Sequence, residues 1–149
     1  MSFWKKSQRT EHIVPPTKVY LALSAIKGAG RGMFASETIE KGELIERCPV
    51  ITIEKKEVPL IRDTLLRKYY FMEGINEKSH RAAICLGFGS IYNHSYSPNA
   101  TYKKYIHEGY IDFIALRSIK KGEEICTNYN HGDPNDTSTL WIDSIPPYK

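Results

Sequence analysis

The sequence predicts a mainly β fold with one or two short helices. Three observations carry this prediction: short segments alternate apolar and polar residues, turn-forming residues separate these segments, and a single stretch has helical periodicity. A chain of 149 residues has room for one sizeable hydrophobic core. We therefore expect one globular domain built mostly of strands.

The strands are predicted in the following order. Residues 18–23 alternate as one strand, and residues 43–47 and 49–54 are predicted to form a pair. Residues 110–117 and 124–127 are predicted to form a second pair.

One helix is predicted from Pro59 to about Tyr69. Proline is favoured in the first turn of a helix, and Leu60, Ile61 and Leu65 are spaced to lie on one apolar side together with Tyr69. Gly74 follows and ends the helical pattern.

Two distant segments of the chain resemble each other. Residues 35–45 and 115–125 align with six identities in eleven positions, and each contains a Lys-Gly-Glu sequence before a predicted strand. Similar turns can arise independently, but a match of this length favours a repeated structural unit.

Charge and cysteine content exclude several classes of protein. Lys5, Lys6, Arg9 and Lys18 against Glu11 account for three of the four net positive charges, so a basic arm is present rather than a basic face for nucleic acid. Three separated cysteines without a CxxC pair predict neither a disulfide framework nor a four-cysteine zinc site. No segment has the apolar length of a signal peptide or membrane span, so we expect an intracellular protein without membrane contact.

A glycine-rich stretch at residues 27–34 could hold a ligand through backbone groups. Glycines let backbone amides approach a nucleotide-like cofactor closely, although they equally form tight turns. Gly30, Gly32 and Ala35 also satisfy a dinucleotide-binding fingerprint, with Glu54 at a tolerable distance. That alternative requires a helix directly after the glycines, and residues 33–42 are a poor helical sequence.

Two further stretches carry polar and aromatic side chains that are suited to chemistry. Asn93 and His94 follow an apolar and aromatic segment that would draw them inward, and buried Asn and His side chains need hydrogen-bond partners. Residues 122–130 predict a strand that ends on Tyr129. A polar turn and an ordinary edge tyrosine are the alternative interpretations.

In this order, the three stretches resemble the SET domain of lysine methyltransferases. The resemblance runs from about Val19 to Tyr129 and includes Gly30-Arg31-Gly32, Asn93-His94-Ser95-x-x-Pro98-Asn99 and the segment from Gly122 through Tyr129. It implies a SET-domain fold in which the C-terminal part threads through a loop as a pseudoknot. Small stand-alone viral and bacterial members are similar in size.

The resemblance also implies the site residues. Gly30, Arg31, Gly32, Asn93 and His94 would bind S-adenosylmethionine, and Tyr129 would be the catalytic tyrosine. Tyr69, within Lys68-Tyr69-Tyr70-Phe71, would line the cofactor or lysine pocket. Where the family usually has Phe-Asp-Tyr, this chain has Thr127-Asn128-Tyr129, so the tyrosine is kept and the two residues before it differ.

The expected function is the transfer of a methyl group to a lysine of a protein, with histones or other DNA-associated proteins as the substrate class that the resemblance implies. The sequence leaves open whether two copies of the chain form a homodimer. We divide the chain into an N-terminal arm (1–17), a SET domain (18–130) and a C-terminal segment (131–149) that closes the active site. Since no cysteine follows Cys126, we expect closure without a metal, with Trp141 covering the cofactor or the channel. A non-catalytic module that binds lysine-containing tails is the alternative function.

Overall fold

The computed structural model describes residues 12–74, 81–140 and 142, and strands predominate among them. The strands are β1 (Val19–Leu23), β2 (Arg31–Ala35), β3 (Leu44–Ile53), β4 (Tyr70–Met72), β5 (Ala82–Cys85), β6 (Asn93–His94), β7 (Ala100–Tyr105), β8 (Tyr110–Ala115) and β9 (Glu124–Thr127). Helix α1 (Val58–Arg62) and a 3-10 helix (Leu65–Lys68) complete the elements. The predicted mainly β fold with short helices is confirmed. No helix in the described ranges is long and apolar enough to cross a membrane.

The strands form two sheets, and the smaller one assembles the polar stretches. Its order is β1-β2-β9-β6, whereas the larger sheet has the order β4-β5-β3-β8-β7. Strand β9 pairs antiparallel with β2 and parallel with β6. A strand from late in the chain therefore lies between the glycine-rich strand and Asn93-His94, the strand placement on which the expected pseudoknot depends.

One hydrophobic cluster joins the two sheets. It contains buried side chains of β2 and β9 from the smaller sheet and of β3, β5, β7 and β8 from the larger sheet. Its largest fully buried members are Tyr92, Phe113 and Met33. The burial of this apolar area holds the sheets together and fixes the ends of the strands that carry the site.

Residues 43–54, predicted as two paired strands, form the single strand β3. Residues 44–49 pair with β8, whereas residues 50–53 pair with β5. Pro49 lies where the partner changes, and proline, which lacks an N–H group, is tolerated at such a point in a ladder. The proline breaks the local sequence pattern without breaking the strand.

The prediction that residues 110–117 pair with residues 124–127 is also wrong. Both segments form strands, but β8 pairs with β3 and β7, whereas β9 pairs with β2 and β6. The alternation of apolar and polar residues along a chain identifies strands but does not show which strands pair with each other.

The two similar segments do form one repeated unit. Ile39 and Ile119 exchange backbone hydrogen bonds of 2.9 and 2.8 Å. Gly42 donates to the carbonyl of Ala115, and its counterpart Gly122 donates to the carbonyl of Ala35. The segments therefore pack against each other with near twofold symmetry.

The predicted helix from Pro59 to Tyr69 is interrupted. Thr64 has an extended backbone, and its hydroxyl accepts a hydrogen bond from the N–H of Leu66 and so begins the 3-10 helix. Leu60 and Leu65 remain 76% and 60% exposed, so the predicted apolar side is only partly buried, through Ile61 and Tyr69. Without full burial nothing outweighs the local capping preference of threonine.

Candidate active site

Tyr129 lies just after β9 and is fixed at its backbone and at its hydroxyl. Its hydroxyl donates a 2.8 Å hydrogen bond to the carbonyl of Tyr92, and its N–H donates to Nδ1 of His94 at 3.1 Å. Burial raises the pKa of Tyr129, so the hydroxyl stays protonated at neutral pH. The group is suited to donate a hydrogen bond rather than to act as a base.

A cavity of about 200 Å³ opens beside Tyr129. Six aromatic residues are among those that line it: Tyr69, Tyr70, Phe71, Tyr92, Tyr102 and Tyr129. Such a channel accommodates an unbranched side chain and excludes the water that would stabilise a charged amine. The structure places Tyr69 in this cavity, beside Tyr129.

Tyr92 supplies the carbonyl that holds the Tyr129 hydroxyl, and it is itself anchored. Its side chain is 1% exposed, and its hydroxyl donates to Oε2 of the buried Glu46 at 2.8 Å. The other carboxylate oxygen accepts the N–H of Phe88 at 2.9 Å. Sequence reasoning missed both Glu46 and Tyr92, although an aromatic residue directly before Asn93 was a usable signal.

The side chain of Asn93 reaches the glycine-rich strand. The Asn93 amide donates to the carbonyl of Arg31 at 2.8 Å and to the Glu124 carboxylate at 2.9 Å. A Cβ at Gly32 would lie 2.3 Å from that carboxylate. The close approach of the Glu124 carboxylate therefore explains why residue 32 is a glycine. The main-chain carbonyl of Arg31 and the side-chain amide of Asn93 lie next to each other.

His94 connects this region to Tyr129. Because its Nδ1 accepts a backbone N–H, its proton resides on Nε2 in the neutral ring. The ring packs edge-on against Tyr96 at 4.4 Å and lies 5.3 Å from the ring of Tyr129. His94 thus orients Tyr129 from the side where Asn93 meets Arg31.

Asn99, the last residue of the central motif, is a structural clamp. It is 4% exposed, its amide donates to the carbonyl of Glu124, and its oxygen accepts the N–H of Cys126. The motif therefore fixes the main chain of β9 from one side while Asn93 contacts β2.

The arrangement fits a cofactor with an amino-acid portion. An ideal Cβ at Gly28 or Gly30 would meet no atom within 4 Å, so the backbone there borders open space. The carbonyl of Arg31 and the amide of Asn93 lie within hydrogen-bond distance of each other, and the oxygen atoms of both groups are acceptors that suit an ammonium. Tyr129 lies between this region and the aromatic cavity.

The dinucleotide-binding alternative is wrong. The glycines lead directly into β2, whereas the fingerprint needs a helix whose N-terminus receives the pyrophosphate. Gly30 and Gly32 match the spacing without the structural context.

The C-terminal segment reaches the cavity. Thr139 and Ile142 line it, and Leu140 is 6% exposed. The carbonyl of Ser138 accepts hydrogen bonds from the Tyr96 hydroxyl and the Asn130 amide. Trp141, predicted to cover the site, lies outside the described residues.

Comparison with known proteins agrees with this geometry. The SET-domain family model matches residues 30–130. A Schizosaccharomyces pombe histone-lysine N-methyltransferase specific for lysine 37 of H3 is 34% identical over 119 residues, which cover 78% of this chain and 77% of that protein. EZH2 of Chaetomium thermophilum is 32% identical over 136 residues, which cover 82% of this chain and 9% of EZH2.

Solved structures show the same similarity. A proposed histone methyltransferase of Plasmodium falciparum has a TM-score of 0.60 and 32% identity over 76% of this chain and 98% of its own. The Polycomb Repressive Complex 2 of Chaetomium thermophilum bound to S-adenosylmethionine has a TM-score of 0.62 and 27% identity over 82% of this chain and 16% of its own.

Proposed function

Because this chain belongs to the SET-domain family, we infer that it is a protein-lysine N-methyltransferase that uses S-adenosylmethionine. The observation that carries this function is the position of Tyr129, which lines the cavity while the carbonyl of Tyr92 holds its hydroxyl and His94 holds its N–H. A module that only binds lysine would not need a tyrosine oriented at both ends, and the relatives that match this chain are named methyltransferases.

The residues around the cavity perform two tasks in this reaction. S-adenosylmethionine supplies an electrophilic methyl group when bound. Deprotonating a lysine amine at neutral pH costs roughly 4 to 5 kcal/mol, and the aromatic walls lower this cost by excluding water from the ammonium form. Tyr129 and the carbonyl of Tyr92 position oxygens beside the reacting atoms, and alignment of nitrogen, methyl and sulfur provides much of the acceleration.

The substrate class is a histone or another DNA-associated protein. Several relatives are named for lysine 36 or lysine 37 of histone H3, which supports this class. This chain spans 77% of the length of the lysine-37 relative but only 9–16% of the length of EZH2 and of two relatives specific for lysine 36. The partners of those longer proteins are therefore not assigned to this chain. An intracellular location belongs to the same proposal, and the homodimer stays a prediction.

In this proposal the chain consists of an arm (1–17), a SET domain (18–130) and a C-terminal segment (131–149). The C-terminal segment closes the cavity beside Tyr129. The positions of Thr139 and Ile142 on the cavity support such closure. Gly30, Arg31, Gly32, Asn93 and His94 bind the cofactor in this proposal. Tyr69 lines the cofactor or lysine pocket, and Trp141 covers the cofactor or the channel.

The test combines ligand binding with product analysis. Calorimetric titration with S-adenosylmethionine should show saturable binding, and NAD, as the matched control, should not bind. Incubation with purified histones and methyl-labelled cofactor should give methyl-lysine by mass spectrometry. If the chain bound S-adenosylmethionine but transferred no methyl group to any protein or peptide at any pH tested, it would be a non-catalytic module that binds lysine-containing tails.

A further inference from the structure

A carboxylate is buried in the core behind the aromatic cavity. Glu46 is 4% exposed, although charged side chains are rarely buried unless they are paired or hydrogen-bonded. Removing a carboxylate from water is costly, and only well-placed hydrogen bonds offset this cost. The position of Glu46 therefore calls for a role beyond apolar packing.

A β-bulge accompanies the burial of Glu46. In the pairing of β3 with β8, Leu44 lies opposite Ile114 and Glu46 lies opposite Phe113, so Ile45 is an extra residue in β3. Bulges of this kind redirect the side chains beside them. Ile45 and Glu46 follow each other in the chain, and both are buried.

The Glu46 carboxylate binds both ends of the turn formed by residues 87–91. Its Oε1 accepts the N–H of Phe88 at 2.9 Å, and its Oε2 accepts the hydroxyl of Tyr92 at 2.8 Å. Gly87 has φ of 76°, and a Cβ there would lie 2.5 Å from Oε1. The carboxylate therefore approaches the turn as closely as a glycine allows, and it fixes both the beginning and the end of the turn.

This clamp reaches Tyr129 through a single residue. The ring of Tyr92 is held by Glu46 at its hydroxyl and by stacking on Phe113, with ring centroids 4.7 Å apart. Burial and then the charge of Glu46 raise the pKa of Tyr92, so its hydroxyl stays protonated and donates. Because the ring is fixed, the main chain of Tyr92 is restrained too, and its carbonyl accepts the Tyr129 hydroxyl at 2.8 Å.

The same turn also borders the cavity directly. Gly89 and Ser90 line it, and the Ser90 hydroxyl donates to the carbonyl of Tyr69 at 2.8 Å. A movement of the turn would therefore displace the groups around Tyr69 as well as the Tyr92 carbonyl.

We propose that Glu46 is a positioning residue that fixes the hydroxyl of Tyr129 through Tyr92. This inference rests on the proposed function and adds a residue to it. Without the hydrogen bond from Tyr92 to Glu46, the Tyr92 carbonyl and the Tyr129 hydroxyl leave the geometry that aligns the reacting atoms. A displacement of this kind lowers the rate although the residue that causes it lies behind the site.

The main test is Tyr92→Phe, which removes the hydroxyl and keeps the ring that stacks on Phe113. We expect the single-turnover rate of histone methylation to fall about tenfold, while the affinity for S-adenosylmethionine changes less than about twofold. Glu46→Leu should have a similar effect. Glu46→Gln should lower the rate less, because its amide can still accept the Phe88 N–H and bond to the Tyr92 hydroxyl.

A double-mutant cycle separates positioning from general stability. In a Tyr129→Phe background, Tyr92→Phe should change the rate by less than about twofold, because its effect passes through a hydroxyl that is already absent. Ile39→Val is the matched control: Ile39 is 0% exposed, so the change should lower Tm and leave the rate intact. Equal effects of Tyr92→Phe in both backgrounds, or wild-type rates in folded Tyr92→Phe or Glu46→Leu, would overturn the inference.

Nuclear magnetic resonance of protein labelled with ¹³C at tyrosine Cζ tests the inference without a substrate. The Tyr129 signal, assigned by its loss in Tyr129→Phe, reports the hydrogen bond of the hydroxyl, and it should shift in Tyr92→Phe. Where Tyr92→Phe and Glu46→Leu do not fold, the same signal in Glu46→Gln decides. An unmoved signal refutes the positioning by Glu46 alone, whereas a shifted signal in a protein that methylates nothing refutes the methyltransferase and keeps the positioning.

Discussion

At the scale of single residues, Tyr129 has the most specific role. Tyr129→Phe removes one hydroxyl and its bond to the Tyr92 carbonyl but keeps the ring and the backbone bond to His94. We expect kcat to fall about 100-fold or more, while cofactor affinity changes less than about threefold and stability falls by about 1 kcal/mol. Single-turnover rates, calorimetry and thermal unfolding measure the three quantities.

Tyr20→Phe is the control for this change, because Tyr20 is 43% exposed and stacks on Phe34 far from the cavity. It should leave turnover unaffected. Near wild-type single-turnover rates in Tyr129→Phe would remove Tyr129 from catalysis.

Asn93→Ala tests the cofactor side of the site. The hydrogen bonds from the amide to the Arg31 carbonyl and the Glu124 carboxylate would be lost, although the Ser24 hydroxyl still donates to that carboxylate. We expect weaker binding of S-adenosylmethionine and a stability loss of about 1–3 kcal/mol. Unchanged affinity in a folded variant would show that the motif does not bind the cofactor.

Residues of the site that lie within one motif could be predicted, and pairs distant in sequence could not. Asn93, His94 and Tyr129 were recognised because their spacing is characteristic of a family. The hydrogen bond between Tyr92 and Glu46 joins positions that nothing in the local sequence relates. A single sequence gives no direct information on such pairs.

At the scale of elements, the repeated segments show what local sequence does encode. Each ends in a Lys-Gly-Glu turn in which the glutamate side chain accepts a backbone N–H three residues earlier: Glu43 from Glu40, and Glu123 from Lys120. This turn chemistry was predictable because all of its partners are close in sequence. The partners of β8 and β9 depend on core packing instead, and alternation alone predicted them wrongly.

The Glu123 turn predicts a pH-dependent contribution to stability. The hydrogen bond from Arg117, opposed in part by burial, lowers the pKa of Glu123 to about 2, against about 4.3 in an unfolded chain. The folded pKa is the lower one, so the stabilisation is present above pH 4.3 and is lost as pH falls towards 2. Because Arg117 is 54% exposed and screened by solvent, Glu123→Gln should cost below about 1 kcal/mol at pH 7.

Urea unfolding at several pH values measures this difference. The free energies of unfolding of Glu123→Gln and the wild type should converge near pH 2. A difference that stays constant from pH 7 to pH 2 would mean that the ion pair does not contribute. Glu43→Gln is the matched variant in the other copy, where Lys18 lowers the pKa of the carboxyl.

At the scale of the whole molecule, the fold class was predictable because strand-forming segments dominate the chain. The order of strands in the two sheets was not, since it joins segments such as Met33 and Ile125 that are far apart in sequence. The family resemblance supplied that long-range information.

The C-terminal segment should complete the site without a metal. Leu140 is buried, and Thr139 and Ile142 border the cavity; these residues flank Trp141 in the sequence. We expect EDTA and a zinc chelator to leave activity unchanged. Trp141→Ala should lower cofactor or peptide affinity more than it lowers Tm.

Leu140→Ala is the comparison for Trp141→Ala, and it should mainly lower Tm through the loss of buried apolar area. Activity that a zinc chelator abolishes, or normal binding of both ligands by Trp141→Ala, would contradict this assignment.

The position of β9 between β2 and β6 affects how the domain can fold while it is synthesised on the ribosome. Strand β2 and the Asn93-His94 strand are synthesised first and must wait, with unpaired edges, for residues 124–127. At about 5–20 residues per second, translation from His94 to Asn130 takes roughly two to seven seconds. During that interval the nascent chain exposes the edges that invite aggregation, and it can bind no cofactor. A methyl donor cannot assist the folding of this domain until residues 124–130 have been synthesised.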